Sequence, residues 1–333
     1  MPAPPTSAAA PFAVVILNWN GADDTLACLA SLEAQSLPAQ ELVVLDNGSE
    51  DDSVARIRAA YPHLRLVEAP RNLGFAEGAN WGIERTEAEW VMLLNNDVIV
   101  PPDTFALLAA AATAAPPDTG MLQPLLVFAD RPELLNSSGI VLLRGGSAID
   151  RDFERPTELG TFEEPFAITA GAGLYRREML ERLKLRTGYL DRSHFMYYED
   201  LDLGWRARLA GYRAQVVSSA HVQHGFQRSA ARRPSGFVER HCRLNRCRTL
   251  LKNASGRMLL RYFLSQGFRN DLLWLLRREG ALLATRAFLT AWVDGLRGRR
   301  TVSGYAKLRR VALEADWLGR GAARGLDSDG PGR

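Results

Sequence analysis

Four short apolar runs in the first hundred residues constrain the fold more than any other feature. They are AVVIL (13–17), ELVVLD (41–46), LRLVEA (64–69) and VMLL (91–94). Continuous runs of this length, bounded by turn residues, are typical of strands buried on both faces of a parallel sheet. The segments that follow them have helical character: one opens at Asp23, one follows NGSEDDS, one covers 75–85, and one runs from Pro101 to Ala115. The alternation predicts βαβ units around a mostly parallel sheet.

Polar residues stand just after the predicted strand ends. They are Asn18, Asp46, Asn72 and Asp97. In open sheets of this kind, ligands bind beyond the carboxyl ends of the strands. Turn chemistry alone also favours Asn and Asp at such positions, so each residue is weak evidence by itself. Their convergence on one edge of the sheet predicts a binding site there.

The stretch WVMLLNNDVIV (90–100) contains the most informative of these strand ends. Asn95, Asn96 and Asp97 interrupt an apolar run. A carboxylate beside buried strands is unfavourable unless it is paired or bound to a cation. The chain therefore either makes an ordinary turn here or holds something charged.

A second polar group lies in FMYYEDLDLGWRARLAGY (195–212), where Glu199, Asp200 and Asp202 follow aromatic residues. Acidic residues favour a helix N-terminus, and Arg206 and Arg208 are spaced to pair with them. Apolar surroundings raise the pKa of a carboxyl group, so one of the three could serve as a base. We expect Asp202 to contribute only electrostatics at the helix start.

The charge distribution separates the chain into two parts. From residue 227 onwards there are 23 Lys/Arg and 8 Asp/Glu, a net charge of +15, whereas the preceding residues carry −12. From Gly256, apolar clusters alternate with arginines without reaching the roughly 20 apolar residues that span a bilayer. Such helices suit the interface of an anionic membrane. The alternatives are helices that cover the core or form a homodimer contact.

Several function classes lack their signatures. The first predicted turn, NWNG, is not the glycine-rich turn of a dinucleotide fold, and neither a P-loop nor a G-x-S-x-G motif occurs. The His and Cys spacing matches no standard structural zinc site. The basic region contains no recognisable nucleic-acid-binding motif, so we expect no nucleic-acid partner.

A set of motifs carries a family resemblance. In chain order they are VVILNWNG, VVLDNGSEDDS, RNLGFAEGANWG, LLNNDV, ITAGAGLYRREML and GYLDRSHFMYYEDLDLGWRARLAGY, followed by His224. They resemble family-2 glycosyltransferases of the GT-A fold, and within these the bacterial rhamnosyltransferase-like enzymes. The resemblance implies an α/β GT-A domain over 12–228. A disordered leader (1–11), a basic amphipathic helical region (229–320) and a disordered tail (321–333) complete the expected organisation.

The resemblance also implies roles for individual residues. Asp97 and His224 match metal-ligand positions, with Asn95 replacing the first carboxylate of the family's D-x-D motif. Asp200 matches the catalytic base and Glu199 its acidic neighbour. Asp46 matches a contact with the nucleotide base. The remaining nucleotide-sugar positions are Asn18, Asn72, Asn80, Asn95, Asn96, Gly171 and Ala172.

By the same resemblance, the expected enzyme is an inverting, metal-dependent glycosyltransferase that uses Mg²⁺ or Mn²⁺. Its donor would be dTDP-rhamnose or a UDP-sugar, and its acceptor a glycan or a lipid-linked intermediate of cell-envelope polysaccharide synthesis. It would be cytoplasmic, on the inner face of the cytoplasmic membrane. The alternative is a non-catalytic module that binds nucleotide sugars or glycans on the same fold.

Overall fold

The computed structural model describes residues 9–158, 162–225 and 235–323, with side chains as far as residue 318. The strands described are β1 (Ala10–Asn18), β2 (Ala39–Asp46), β3 (Arg65–Glu68), β4 (Trp90–Asn95), β5 (Val98–Ile99), β6 (Thr119–Phe128), β7 (Leu135–Ser137), β8 (Ile140–Leu142), β9 (Ala148–Asp150), β10 (Ala172–Arg176) and β11 (Arg213–His224). The helices described are α1 (Ala22–Glu33), α2 (Ser53–Ala60), α3 (Gly74–Ile83), α4 (Thr104–Ala114), α5 (Arg177–Leu183), α6 (Glu199–Leu209), α7 (Phe237–Asn253), α8 (Gly256–Leu264), α9 (Gln266–Glu279), α10 (Ala281–Tyr305) and α11 (Arg310–Ala323).

The main sheet has the strand order β3-β2-β1-β4-β10-β6-β11-β5, with β7 paired to β6. The four predicted strands are confirmed and pair in parallel. In this register Asn18 lies opposite Asp46, and Leu17 lies opposite Asn95. The polar strand ends therefore meet at one edge, as predicted. The second half is mixed, because β10 runs antiparallel to both β4 and β6.

The residues of β1 alternate between two cores. Phe12, Val14 and Ile16 are fully buried in one cluster, together with residues of α1 and α4. Val15 points to the opposite face, where it packs with residues of α3, α5 and α6. A strand covered on both faces explains why its sequence is continuously apolar rather than alternating.

The C-terminal helices share a core with the sheet domain. Leu244 and Leu250 of α7 pack in one buried cluster with Trp205 of α6 and with Phe166. Helix α7 therefore covers part of the core of the sheet domain. Among the described residues, no helix combines the length and the apolar composition needed to cross a bilayer.

Two predicted boundaries shift. Strand β1 begins at Ala10, inside the segment assigned to the leader, and α11 continues to Ala323, inside the segment assigned to the tail. Residues 1–8 and 324–333, on which the predictions of disorder mainly rest, lie outside the described residues.

Candidate active site

The edge formed by the carboxyl ends of β1 and β2 is ordered by a polar network. Asn18 Nδ2 donates to Asp46 Oδ1 at 2.7 Å, and Asn18 Oδ1 accepts from the Thr25 hydroxyl at 2.7 Å. The backbone N–H of Ser49 donates to Asp46 Oδ2 at 2.9 Å, and the Ser49 hydroxyl donates to Oδ1 at 2.6 Å. These bonds leave Asp46 only 2% exposed. Asn18 and Asp46 thus fix the shape of this edge.

The two asparagines of NND point in different directions. Asn96 is buried, and its amide donates to the Thr25 hydroxyl at 3.0 Å, so it reinforces the edge from inside. Asn95 Nδ2 lies 3.4 Å from His224 Nε2. The predicted nucleotide contact is therefore poorly supported for Asn96, because its amide is used within the fold.

Asp97 and His224 come together although 127 positions separate them in the chain. His224 ends β11 and pairs with Val98 of the short antiparallel β5. This pairing brings His224 Nε2 to 3.4 Å from Asp97 Oδ1, with the side chains 13% and 5% exposed, respectively. His224 Nδ1 lies 2.8 Å from Asn136 Oδ1. An Nδ1–H donated to that amide oxygen leaves the Nε2 lone pair facing the carboxylate.

Two further predicted residues serve the fold. Asn72 Oδ1 accepts the backbone N–H of Gly74 at 2.9 Å and so orders the start of α3. Asn80 donates to the carbonyl of Leu190 at 2.8 Å and accepts its N–H at 2.9 Å. An amide engaged at both ends by the backbone is a poor nucleotide ligand. We therefore treat Asn80 as a structural link between α3 and the segment before α6.

The loop before β10 connects the two polar groups of the sequence. The carbonyl of Gly171 accepts the backbone N–H of Asn95 at 2.9 Å. One residue earlier, the backbone of Ala170 lies close enough to the carboxylate of Asp200 to lower its pKa. Gly171 and Ala172 are both buried, and Ala172 lies opposite Leu94 in the sheet. The loop thus joins Asp200 to the edge that holds Asp97 and His224.

The three acids of α6 have different environments. Asp202 is fully buried and pairs with Arg206 at 2.9 Å and Lys252 at 3.0 Å. Burial opposes its ionisation, but these cations outweigh burial and lower its pKa. The expected partnership with Arg206 is confirmed, whereas Arg208 pairs with Glu164 instead. Asp202 is therefore part of a buried ion network rather than a simple helix-start charge.

Glu199 and Asp200 have raised pKa values. Burial, followed by the neighbouring Asp200, holds the pKa of Glu199 well above its usual range. Its Oε2 has no hydrogen-bond partner among the described residues. Burial also raises the pKa of Asp200 to about 6, while the backbone N–H of Leu201 opposes the rise. Asp200 is half-buried and is the least buried of the three, so it is the acid that can ionise and still meet a substrate.

A further carboxylate at this site, that of Asp150, was not predicted from the sequence. Asp150 ends β9; burial raises its pKa, and the nearby Ser137 and His224 oppose the rise. It also contributes to the raised pKa of Asp200. Asn136, the partner of His224, was missed as well. Neither residue follows an apolar run long enough to be recognised as a strand, so neither could be identified as a strand-end residue.

The backbone that leads into α6 is strained. Phe195, Tyr197 and Tyr198 have φ angles of 62°, 67° and 71°. Left-handed backbone at such residues costs on the order of 1–3 kcal/mol each and is concentrated at functional sites. Gly74 accommodates the approach of this segment, because a Cβ there would lie 2.5 Å from the Phe195 ring. The start of α3 therefore abuts the segment carrying the acids.

Comparison with sequence families gives a match to glycosyl transferase family 2 over residues 13–184. The chain is 30% identical over 236 residues to the N-acetylglucosaminyl-diphospho-decaprenol L-rhamnosyltransferase of Mycobacterium tuberculosis, covering 64% of this chain and 75% of that protein. It is also 35% identical over 95 residues to the glycosyltransferase YibD of Escherichia coli, covering 28% of this chain and 27% of that protein.

Among solved structures, the chain is similar to GalNAc-T7 crystallised with UDP, GalNAc and Mn²⁺, with a TM-score of 0.66 and 14% identity. That alignment covers 95% of this chain and 57% of GalNAc-T7, so the chain spans little more than half of that protein. Residues 1–349 of S. aureus TarS in complex with UDP give a TM-score of 0.53 at 17% identity, covering 94% of this chain and 91% of that one. These similarities confirm the GT-A fold, and together with the sequence matches they make this chain a rhamnosyltransferase-like member of glycosyl transferase family 2.

Proposed function

We propose that this glycosyltransferase moves a sugar, rhamnose being the first candidate, from a nucleoside-diphosphate donor to an acceptor hydroxyl with inversion at the anomeric carbon. One observation carries the proposal. Asp200, the least buried acid of α6, lies beside the loop at 169–172, and this loop is hydrogen-bonded to the edge where Asp97 faces His224. A base beside a subsite for a departing diphosphate is what a single displacement requires.

In this proposal Asp200 accepts the proton of the acceptor hydroxyl. The acceptor oxygen then bonds to the anomeric carbon as the opposite bond, from that carbon to the diphosphate oxygen, breaks. A single displacement needs no covalent nucleophile. Glu199, whose raised pKa favours the neutral form, avoids placing a second negative charge beside the base.

Asp97 and His224 would hold the divalent cation, Mg²⁺ or Mn²⁺. Their arrangement fits, because His224 Nε2 and Asp97 Oδ1 lie 3.4 Å apart, and imidazole nitrogens and carboxylate oxygens are both ligands of divalent cations. The second ring nitrogen is held by Asn136, as is usual for metal-binding histidines. When bound, the cation supplies charge that offsets the departing diphosphate. An imidazole ligand suits Mn²⁺ better than Mg²⁺.

No group of three or more His, Cys, Asp or Glu side chains suited to a metal occurs in the described part of the chain. We therefore expect the diphosphate and water to complete the coordination.

Asp97→Ala should abolish the thermal stabilisation that UDP or dTDP gives in the presence of Mn²⁺. The exposed Asp118→Ala is the matched control and should behave like the wild type. If the wild type bound the nucleotide as well in excess chelator as in Mn²⁺, the proposed role of the cation would be wrong.

The donor and acceptor are proposed from the Mycobacterium tuberculosis relative, whose name specifies rhamnosyl transfer to N-acetylglucosaminyl-diphospho-decaprenol. We propose dTDP-rhamnose as donor, with a UDP-sugar as the alternative. The proposed acceptor is a lipid-diphosphate-linked glycan of cell-envelope synthesis.

A panel of nucleotide sugars, tested by thermal shift with and without Mn²⁺, should give its largest shift with dTDP-rhamnose.

A lipid-linked acceptor calls for a membrane-facing surface, and the C-terminal helices offer one. What we call the apolar-basic face consists of Leu260 and Leu264 of α8, Leu289, Trp292 and Leu296 of α10, and the exposed arginines Arg257, Arg261, Arg286 and Arg297. The five apolar residues are 41–76% exposed. The ring centroids of Phe263 and Trp292 lie 5.3 Å apart, which joins the two helices. Apolar side chains among arginines suit the interface of an anionic leaflet, proposed as the cytoplasmic one.

Vesicle binding tests this face. The protein should bind phosphatidylglycerol-containing vesicles, and binding should weaken as salt screens the arginines. Introducing Leu289→Glu together with Leu296→Glu should reduce binding, because both the apolar area and the favourable charge are lost. Leu107→Glu on α4, where the leucine is 37% exposed, is the control and should have little effect. Binding that is absent, or unchanged by salt and by the double substitution, would refute the membrane contact.

The second candidate is a non-catalytic module that binds nucleotide sugars. The observation that favours it is Asn95 in place of the first carboxylate of the metal motif, which leaves Asp97 as the motif's one carboxylate. Release of nucleoside diphosphate from the donor distinguishes the two, because a binding module would leave the donor intact.

A further inference from the structure

The segment that precedes the catalytic acids cannot keep its shape by local preference. Phe195, Tyr197 and Tyr198 are bulky residues, yet all three adopt left-handed backbone. Side chains with a Cβ disfavour this region, so the surrounding structure must impose the conformation. The segment ends at Tyr198, and the next two residues are Glu199 and Asp200 at the start of α6. Any relaxation of the segment would therefore move both acids.

One side chain of α7 contacts this segment repeatedly. The Nδ2 of Asn245 donates to the carbonyl oxygens of His194 at 2.8 Å, Met196 at 2.9 Å and Tyr197 at 2.9 Å. Three acceptors share one amide nitrogen, so their carbonyls must converge on it. A backbone in an ordinary extended or helical conformation does not direct three carbonyls within four residues at one point. Asn245 therefore binds the same segment whose backbone is strained.

The amide is itself held in a fixed orientation. Asn245 is fully buried, and its Oδ1 accepts a hydrogen bond from Arg248 Nη1 at 2.6 Å. Arg248 in turn lies 3.4 Å from the carboxylate of Asp294 on α10. Because an arginine can only donate, it fixes which end of the amide faces the segment. The donor end must face the carbonyls.

We infer that Asn245 is a positioning residue for the reaction: it holds the strained backbone of 194–198 so that Asp200 meets the acceptor hydroxyl. The inference rests on the proposed role of Asp200 as base. It assigns α7 a catalytic purpose beyond covering the core. Misplacement of a catalytic group by about 1 Å can reduce the rate about 10²-fold, so small movements of this segment matter.

Two substitutions separate hydrogen bonding from packing. Asn245→Ala removes the donor and leaves a small cavity, whereas Asn245→Asp keeps the volume but replaces the donor with an acceptor. A packing role predicts that Asn245→Asp is the milder change. The proposed role predicts that it is at least as damaging as Asn245→Ala, because a carboxylate would face three carbonyls. Leu251→Ala, a buried residue of the same helix, is the control for general destabilisation.

The first measurement is hydrogen exchange of the full-length protein without ligands. Peptides covering 194–201 should exchange at least about 10-fold faster in Asn245→Ala than in Leu251→Ala, when both variants are shown to be folded. Exchange there at the wild-type rate would overturn the inference. This arm requires no donor or acceptor, so it decides the structural claim even if the proposed function fails.

The second measurement is a double-mutant cycle on turnover with dTDP-rhamnose. Asn245→Ala should lower kcat about 10²-fold while the KM for the donor changes less than about 2-fold. In an Asp200→Asn background the same substitution should lower kcat by less than about 3-fold, because the group it positions is already gone. A full additional loss in that background, or a loss expressed in donor KM, would show that Asn245 does not act through Asp200.

Discussion

Asp200→Asn should reduce turnover by about 10²–10⁴-fold, the range that a positioned general base contributes. Asparagine keeps the size and the hydrogen bond to the N–H of Leu201 but cannot take a proton from the acceptor. The KM for the donor should hardly change, because the proton comes from the acceptor. Initial rates at saturating donor and acceptor, with folding checked by circular dichroism, provide the measurement.

The pH dependence gives an independent view of the same residue. Burial raises the pKa of Asp200 to about 6, and the negative charge of Asp150 adds to the rise. The base works only when ionised, so kcat/KM should fall as the pH drops below about 6. Glu199→Gln should lose less activity, since the raised pKa of Glu199 already favours the neutral carboxyl. Near-normal turnover in Asp200→Asn, with a collapse in Glu199→Gln, would mean that the base is misassigned.

Asp202→Asn should lower the free energy of unfolding by about 3–5 kcal/mol, the usual effect of removing one partner of a buried ion pair. The substitution leaves Arg206 and Lys252, both fully buried, with Asp191 as the remaining carboxylate of the network. From the sequence alone, the predicted contribution of Asp202 is only helix-start electrostatics of roughly 0.3–1 kcal/mol. Urea denaturation at pH 7 measures the difference.

Asp200→Asn is the matched control for stability, because it changes the same kind of residue two positions away in the same helix. The folded-state pKa of Asp200 is raised, so ionising this group destabilises the fold as the pH rises from about 4 to 6. Removing the charge should therefore leave stability at pH 7 unchanged or higher. The folded-state pKa of Asp202 is lowered, so its contribution is present above about pH 4 and is lost below that. Equal stability losses in the two variants would contradict this division.

The first half of the fold was predictable because its strands are continuous apolar runs. The runs at 13–17 and 91–94 became neighbouring parallel strands, and their polar ends met as expected. The antiparallel part was not predictable in the same way. Strand β5 has two residues and β10 has five, so neither has a periodic pattern long enough to recognise. Their pairing depends on tertiary contacts.

The site was predicted at the level of motifs but not of hydrogen bonds. The structure brings Asp97 and His224 together and leaves Asp200 half-buried, whereas the roles that the resemblance implies for them stay predictions. It engages Asn80 and Asn96 internally, which no local pattern could reveal, because their partners are far away in the chain.

Asn245 could not be predicted either, because its partners are also far away in the chain. It lies in α7 among arginines, where the sequence gives no sign of function, and its contacts are with backbone 48–51 positions earlier. Every residue has a backbone carbonyl, so the residue types at 194, 196 and 197 do not indicate that a side chain binds there.

The most direct test of the central claim is to incubate the protein with dTDP-rhamnose, Mn²⁺ and a synthetic N-acetylglucosaminyl-diphospho-prenol, and to analyse the products by mass spectrometry and NMR. We predict dTDP release matched by an equal amount of rhamnosylated lipid, whose anomeric configuration is opposite to that of the donor. The Asp200→Asn protein should give neither product at a comparable rate. A donor that binds but stays intact with this and other glycan acceptors, or a product that retains the donor configuration, would contradict the account.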